Sequence, residues 1–379
     1  MDIKIIKNNG IRILVLGDIH LGDQTNKTNY IVNSLKLFFK KHYELLVKVD
    51  YIVVNGDLFE KALLSYSSEY IQSMEWIFQL VLFCSKNNIK LRLLEGTPSH
   101  DNNQGKLLVN LISQWEVPVN FKYIPEIEIE YDSDFDVNML YVPDRNDKTA
   151  KDRFKIIKRM MLDLNIDKVD FAFMHGNFTY QLPMISEHAH NEDDYLEIVR
   201  FYIFINHIHT PSVYDRILAP GSFDRMIHGE EEDKGCIYAE VKSFKDMRFI
   251  FLKNENARIF KTFRIDNDVT NIEKLLKNLH KDLSKLPITS FIRILTKNKL
   301  NISKVIKEKY NFEGVKEEKL KDNKPSVSNL FTTSNDITEL HITKDNIIDL
   351  LKVELGDINP EYFSIIKTKI EIINNKYAA

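Results

Sequence analysis

Three short apolar runs, each closed by glycine, constrain the fold of this chain more than any other feature. They read "IRILVLG" (11–17), "DYIVVNG" (50–56) and "IKLRLLEG" (89–96). Runs of this length, rich in Ile, Val and Leu, fit strands buried on both faces. The stretch after the first run carries a helical stripe of Ile31, Leu35, Phe38, Phe39, Leu45, Leu46 and Val49. The stretch at about 67–84 carries another, of Tyr70, Met74, Ile77, Phe78 and Val81. Strands alternating with amphipathic helices predict a mostly parallel sheet covered by helices, so the fold class is α/β.

Downstream the pattern changes. Residues 119–143 alternate and hold an acidic turn, as in an antiparallel hairpin, and a helix is expected at about 148–164. Strands return at 169–176 and 201–209. "CIYAEV", "MRFIFLK" and "ARIFKTFRI", after residue 235, look like consecutive antiparallel strands. Two sheets packed face to face with helices outside would accommodate these signals. With 379 residues, the chain is also too long for one small core. A large first domain is expected over 1–265 and a small α/β domain over 266–320. Residues 321–336 have linker composition, and 337–379 read as a tail of two amphipathic helices split at Gly356 and Pro360.

Hydrophobic residues make up 44% and charged residues 28%, the balance of a soluble globular protein. No apolar run approaches the roughly 20 residues a membrane span needs. The start of the chain lacks a signal-peptide pattern, and Cys84 and Cys236 sit far apart in apolar surroundings. The expectation is a cytoplasmic protein. A net charge of −3, from 52 basic and 55 acidic residues, gives no compositional support for nucleic-acid binding and does not forbid it.

The strand ends carry the chemistry. The first gives Asp18 and His20, the second Asp57, the loop after the third His100 and Asp101, the strand at 169–176 His175, and the strand at 201–209 His207 and His209. In open α/β sheets, ligands sit beyond the carboxyl ends of the strands. Singly, each residue reads as an ordinary turn or a hydrogen-bonded histidine. Together they hold five of the chain's eleven histidines, which points to a metal site. A mixed nitrogen and oxygen set suits Zn, Mn or Fe.

In order and spacing these residues resemble the calcineurin-like metallophosphoesterases, whose pattern is D-x-H, G-D, G-N-H-D/E, H and G-H-x-H. Here the steps read "GDIH" (17–20), "NGD" (55–57), "GTPSHD" (96–101), "MHG" (174–176) and "NHIH" (206–209). "GDLFEK" (56–61), "HIHTPSVYDRILAPGSFDR" (207–225) and "DKGCIYAEV" (233–241) look most like the SbcD-type nucleases of bacteria and phages. The resemblance implies a two-sheet sandwich flanked by helices, a small capping domain and a C-terminal helical tail. It implies two divalent metal ions, with manganese as the metal of nuclease activity. Metal one would take Asp18, His20, Asp57 and His209, and metal two Asp57, His175 and His207, with Asp57 bridging. His100 would face the scissile phosphate and Asp101 would orient its imidazole. Two departures stand out. The third motif is two residues longer, leaving Ser99 where an asparagine would ligate metal two, and Asn206 replaces the glycine of G-H-x-H.

The implied activity is a DNA exo/endonuclease subunit acting in recombination, repair or replication with an SMC-like (SbcC-type) coiled-coil ATPase. A homodimer, no membrane, and the host cytoplasm if the chain is phage-encoded complete the expectation. The ATPase would be held by the tail, whose apolar stripe is Ile347, Leu350, Leu351 and Leu355. Two alternatives stay open: a stand-alone phosphatase or phosphodiesterase on the same fold, and a non-catalytic DNA-end scaffold. Elsewhere, Arg225 suits a phosphate contact or an internal salt bridge. His188 and His190 fit a solvated polar loop, and the lysines of 315–324 a solvated surface.

Overall fold

A computed structural model of the protein describes residues 4–144, 148–182, 186–265, 272–298 and 300–320. The expected linker at 321–336 and tail at 337–379 lie outside the described residues. The chain starts with parallel strands β1 (Ile11–Leu16), β2 (Tyr51–Asn55) and β3 (Lys90–Leu94). The first crossover holds α1 (Thr28–Lys41) and the short α2 (Tyr43–Leu46), and the second holds α3 (Ser68–Lys86). The single long stripe expected over 31–49 is therefore broken at His42. α3 begins at a serine cap, where the Ser67 hydroxyl accepts from the Tyr70 N–H at 3.1 Å.

A helix the sequence reading did not name, α4 (Gly105–Gln114), precedes β4 (Phe121–Ile124). β4 runs parallel to β3, so the expected hairpin over 119–143 is confined to β5 (Glu128–Asp132) and β6 (Val137–Val142). From β6 a second set of parallel strands grows through α5 (Ala150–Asp163), β7 (Phe171–Gly176), α6 (Glu192–Ile198) and β8 (Ile203–His207). Short strands β9 (Ser212–Tyr214) and β10 (Ile217–Ala219) finish that sheet. β11 (Gly235–Ser243) and β12 (Asp246–Lys253) return to the first sheet, with β11 antiparallel to β1.

The result is two six-stranded mixed sheets, ordered β12-β11-β1-β2-β3-β4 and β5-β6-β7-β8-β10-β9. Period-two alternation builds three apolar layers. In β1, Ile13 and Val15 face the second sheet while Leu14 and Leu16 face the helices, and β2 repeats this with Tyr51 and Val53 against Ile52 and Val54. In the second sheet, Met139, Tyr141, Phe171 and Phe173 face inward. Leu140, Val142, Ala172 and Met174 pack outward on Ile157 and Met161 of α5 and Tyr195 and Ile198 of α6. The architecture is a two-sheet sandwich with helices on both outer faces.

β13 (Phe260–Ile265) does not join the sandwich. It heads a three-stranded sheet with β14 (Phe291–Thr296) and β15 (Gly314–Lys319), and α7 (Ile272–Leu283) and α8 (Ile302–Tyr310) lie between those strands in sequence. Expected as the last of three consecutive antiparallel strands, β13 instead belongs to this smaller sheet. One compact unit gathers Met1–Arg264, Val269–Ile294 and Leu300–Glu317. Within it, the guanidinium of Arg258 lies 4.0 Å from the Tyr30 ring centroid and 4.3 Å from that of Phe291, and it pairs with Glu313. The second unit, Ile265–Asp268, Leu295–Lys299 and Glu318–Ala379, falls mostly outside the described residues. Among the described residues, no helix is long and apolar enough to cross a membrane, and both cysteines are buried and free.

Candidate metal centre

The carboxyl ends of β1, β2, β3, β7 and β8 converge. The loops after β1 and β2 run together, with the Ile19 and His20 N–H groups donating to Asp57 O at 2.8 and 3.1 Å. Across the sandwich, the Asn55 amide donates to Met174 O at 2.8 Å and to the Asn206 side-chain oxygen at 3.1 Å. These bonds tie the end of β2 to β7 and β8. Gly56 has φ of +87°, and a Cβ there would overlap the His175 ring, so only glycine lets the two sheets approach this closely.

All six expected ligands come together, in overlapping groups whose donor atoms lie within 4.8 Å of one another: Asp18, His20 and His209; His20, Asp57 and His100; Asp57, His175 and His207. Asp57 joins the last two. Its Oδ2 is 3.3 Å from His175 Nε2, 3.9 Å from His20 Nε2 and 2.9 Å from His100 Nδ1. Four of the six ligands, Asp18, His20, Asp57 and His207, have positive φ (47°, 55°, 48° and 122°). Backbone held in that region costs energy and concentrates at functional sites.

The donors fit a divalent ion. Asp18 Oδ2 accepts from the Asn206 amide at 3.1 Å and the His207 N–H at 3.0 Å, while its Oδ1 is buried without a hydrogen-bond partner. Buried polar atoms are rarely left this way. His20 Nε2 and His209 Nε2 face each other at 3.1 Å. His209 Nδ1 is hydrogen-bonded to Glu230 at 2.7 Å, whereas His20 Nδ1 lies 2.7 Å from the Glu60 carboxylate as an ion-pair contact without a hydrogen bond. Glu230 favours the proton on His209 Nδ1, which would leave the inward Nε2 free to give its electron pair to an ion. Buried Asp/His clusters of this kind could hold a metal ion, and the mixed N,O set suits a first-row transition metal.

Electrostatics follow from the crowding. Burial by itself would raise the Asp57 carboxyl, but His175, His100 and His20 hold it well below the usual carboxylate range. Burial opposes charge on His175, yet Asp57 and Asp18 raise it to about 10. Burial and the neighbouring His175 push His207 down. His209 is raised against its burial by Glu230, and His100 is raised by its bond to Asp57. A divalent ion would neutralise these carboxylates and compete with protons for the histidine nitrogens.

Four expectations need correction. Asp101 does not orient His100. It is buried under the loop, accepting from the Phe59 N–H at 2.9 Å and the Gly96 N–H at 2.7 Å, and burial followed by the charge of Asp57 raises its carboxyl to about 8. Ser99 is exposed, lifted by the turn in which the His100 N–H donates to Thr97 O at 2.8 Å. Thr97 instead reaches the centre: its hydroxyl lies 3.1 Å from Asp57 Oδ2, 3.5 Å from His175 Nε2 and 3.4 Å from His207 Nδ1. His190 is not in a solvated loop; it is buried and meets the Tyr195 hydroxyl at 3.0 Å. Arg225 serves the fold, its guanidinium directed at the carbonyls of Ala257, Arg258, Glu231 and Glu232.

Sequence reasoning missed the supporting residues Thr97, Glu60, Glu230 and Asn55. It flagged Asn206 only as a departure. In the fold, a Cβ on Gly17 would strike the Asn206 side chain at 2.6 Å, so Gly17 makes room for the amide that holds Asp18. Glu60 falls inside "GDLFEK", beside Asp57, and that proximity was the available signal. Glu230 had none, lying 21 residues from its partner His209.

No family model and no curated protein matches this chain. Among solved structures, 35 chains match. One, described only as a crystal structure, is 9% identical over 64% of this chain and 99% of its own, with a TM-score of 0.39. A likeness that weak carries no argument about fold or function.

Proposed function

We propose that the protein is a two-metal phosphodiesterase acting on DNA, a nuclease subunit of the SbcD type within the calcineurin-like metallophosphoesterases. The observation that carries this reading is Asp57, a buried carboxylate whose Oδ2 lies between the two histidine sets, 3.3 Å from His175 Nε2 and 3.9 Å from His20 Nε2, where a bridging ligand would have to be. Asp18, His20, Asp57 and His209 would hold one ion, and Asp57, His175, His207 and the Thr97 hydroxyl the other. Manganese is the proposed metal. Paired ions would supply a hydroxide near neutral pH and neutralise the charge of a phosphodiester. His100, with 31% of its side chain exposed beside Asp57, is placed to donate to a phosphate oxygen or the leaving oxygen. Asp101 keeps the loop that carries His100 in place.

A polar cleft of about 420 Å³ opens beside the loop after β1, lined in part by Asp23, Lys27, Thr28, Lys61 and Ser68. Its two lysines are balanced by Asp23 and Glu69, so the cleft carries no net charge. We further propose a cytoplasmic protein that acts as a homodimer with an SMC-like ATPase in end processing. The test is cleavage of end-labelled linear duplex with Mn²⁺, with and without a co-expressed ATPase partner, alongside a nitrophenyl phosphodiester. Degradation of the duplex is expected. Turnover of the small ester with intact duplex would point to a stand-alone phosphodiesterase, and turnover of neither would remove the enzymatic reading.

A further inference from the structure

We propose that Glu60 and Glu230 are positioning residues that make the Asp18–His20–His209 cluster the tighter of the two cation sites, filled before the cluster of Asp57, His175 and His207. The inference rests on the two-metal reading above and adds an order to it.

The clusters are supported differently. Both imidazoles of the first have an outward Nδ1 set 2.7 Å from a carboxylate, which turns their Nε2 atoms inward to 3.1 Å from each other. The carboxylate of Glu230 is itself fixed, whereas Glu60 is held through its backbone. Glu230 accepts the Met226 N–H at 3.0 Å, and the Glu60 N–H donates to Leu21 O at 3.0 Å. In the second cluster, the outward Nδ1 of His175 meets the neutral carbonyl of Asn55 at 2.9 Å. His207 has its Nδ1 inward, 3.4 Å from the Thr97 hydroxyl, and its outward Nε2 has no partner among the described hydrogen bonds.

A carboxylate behind a ligating histidine fixes its tautomer and ring orientation and raises its basicity. A carbonyl fixes the tautomer without adding charge. Glu60 and Glu230 also bring two negative charges close to the first site. Lys234 offsets part of this, lying 3.3 Å from Glu230 and donating to His209 O at 2.9 Å. The balance still favours the first site, because Glu60 has no such counter-cation among the described ion pairs.

The test uses the full chain, with Mn²⁺ as the probe and the electron paramagnetic resonance signal of free Mn²⁺ as the readout, so it does not depend on turnover. Wild type should bind in two separable phases. His209→Ala should lack the tight phase and His175→Ala the weak one, which assigns them. Glu60→Gln and Glu230→Gln keep the shape and a hydrogen-bond acceptor but remove the charge. Each should weaken the tight phase by roughly 10–100-fold and leave the weak phase in place. Glu230→Asp, with the charge restored on a shorter arm, should recover part of the loss. Two phases unmoved by either glutamine, or shifted together by both, would overturn the inference and leave the two-metal reading standing. No Mn²⁺ bound by the wild type would overturn both.

Discussion

Thr97 directly follows Gly96 at the end of the third strand, so its side chain enters the centre before the turn lifts Ser99 away. A hydroxyl is a weak donor to a divalent ion, and its loss should show at limiting metal. Thr97→Ala should raise the Mn²⁺ concentration needed for half-maximal rate, Thr97→Ser should restore it, and Ser99→Ala should match wild type. Mn²⁺ titrations of initial rate decide this, and equal curves for Thr97→Ala and wild type would remove Thr97 from the site. His100 tests a different role. Its alanine variant should keep its metal yet lose roughly 10²–10⁴ in turnover, the usual worth of a positioned acid or charge stabiliser. Unchanged turnover would make "GTPSHD" only a turn.

At the scale of elements, the small sheet meets the sandwich through Arg258, held between Tyr30 and Phe291 and paired with Glu313. Arg258→Ala should cost about 2–3 kcal/mol by urea unfolding, since it removes two ring contacts and strands a partly buried carboxylate. Arg258→Lys should restore little of it, because an ammonium lacks the planar face that stacks on both rings. The corner of β7 and α6 gives a pH signature. Burial, with the charge of Arg153 adding to it, lowers the His190 imidazole to about 3. The unfolded chain binds that proton at about pH 6.5. The stability this neutral ring contributes is therefore full above pH 6.5 and is lost as pH falls toward 3. His190→Gln does not titrate, so the gap in Tm between wild type and variant should narrow from pH 7 to pH 4. A constant gap would contradict the assignment.

These elements also show why some of the fold was legible and some was not. β1, β2, β3, β7 and β8 stood out because both of their faces are covered, which makes their sequences continuously apolar. Their ends were legible for the same reason: each apolar run stops within a few residues of one that carries a donor. β13 misled because an apolar run shows that a strand is buried, not which sheet it joins. α4 escaped notice because its apolar positions follow a loop dense in Asn, Asp and Gln. That loop is ordered by contacts local sequence cannot reveal: Glu95 with the Tyr123 hydroxyl and the Asn103 N–H, and Gln104 with the Leu63 N–H. His190 looked solvated because its neighbours are polar, yet Phe178 and Tyr195 enclose it.

For the molecule as a whole, the essential fact is that neither sheet holds a complete donor set. The first sheet supplies Asp18, His20 and Asp57, and the second supplies His175 and His207, with His209 following. Packing the two sheets face to face assembles the clusters, and the Asn55–Asn206 bond fixes their separation at the working end. Asp57 stands where the two halves meet. The account therefore turns on metal content measured on purified chains equilibrated with Mn²⁺ and freed of excess, comparing wild type with Asp57→Ala by elemental analysis. Circular dichroism should confirm that both are folded. Two Mn²⁺ ions per wild-type chain, and neither retained by the folded variant, is the predicted result. A wild type without metal, or a variant with the wild-type stoichiometry, would contradict the account.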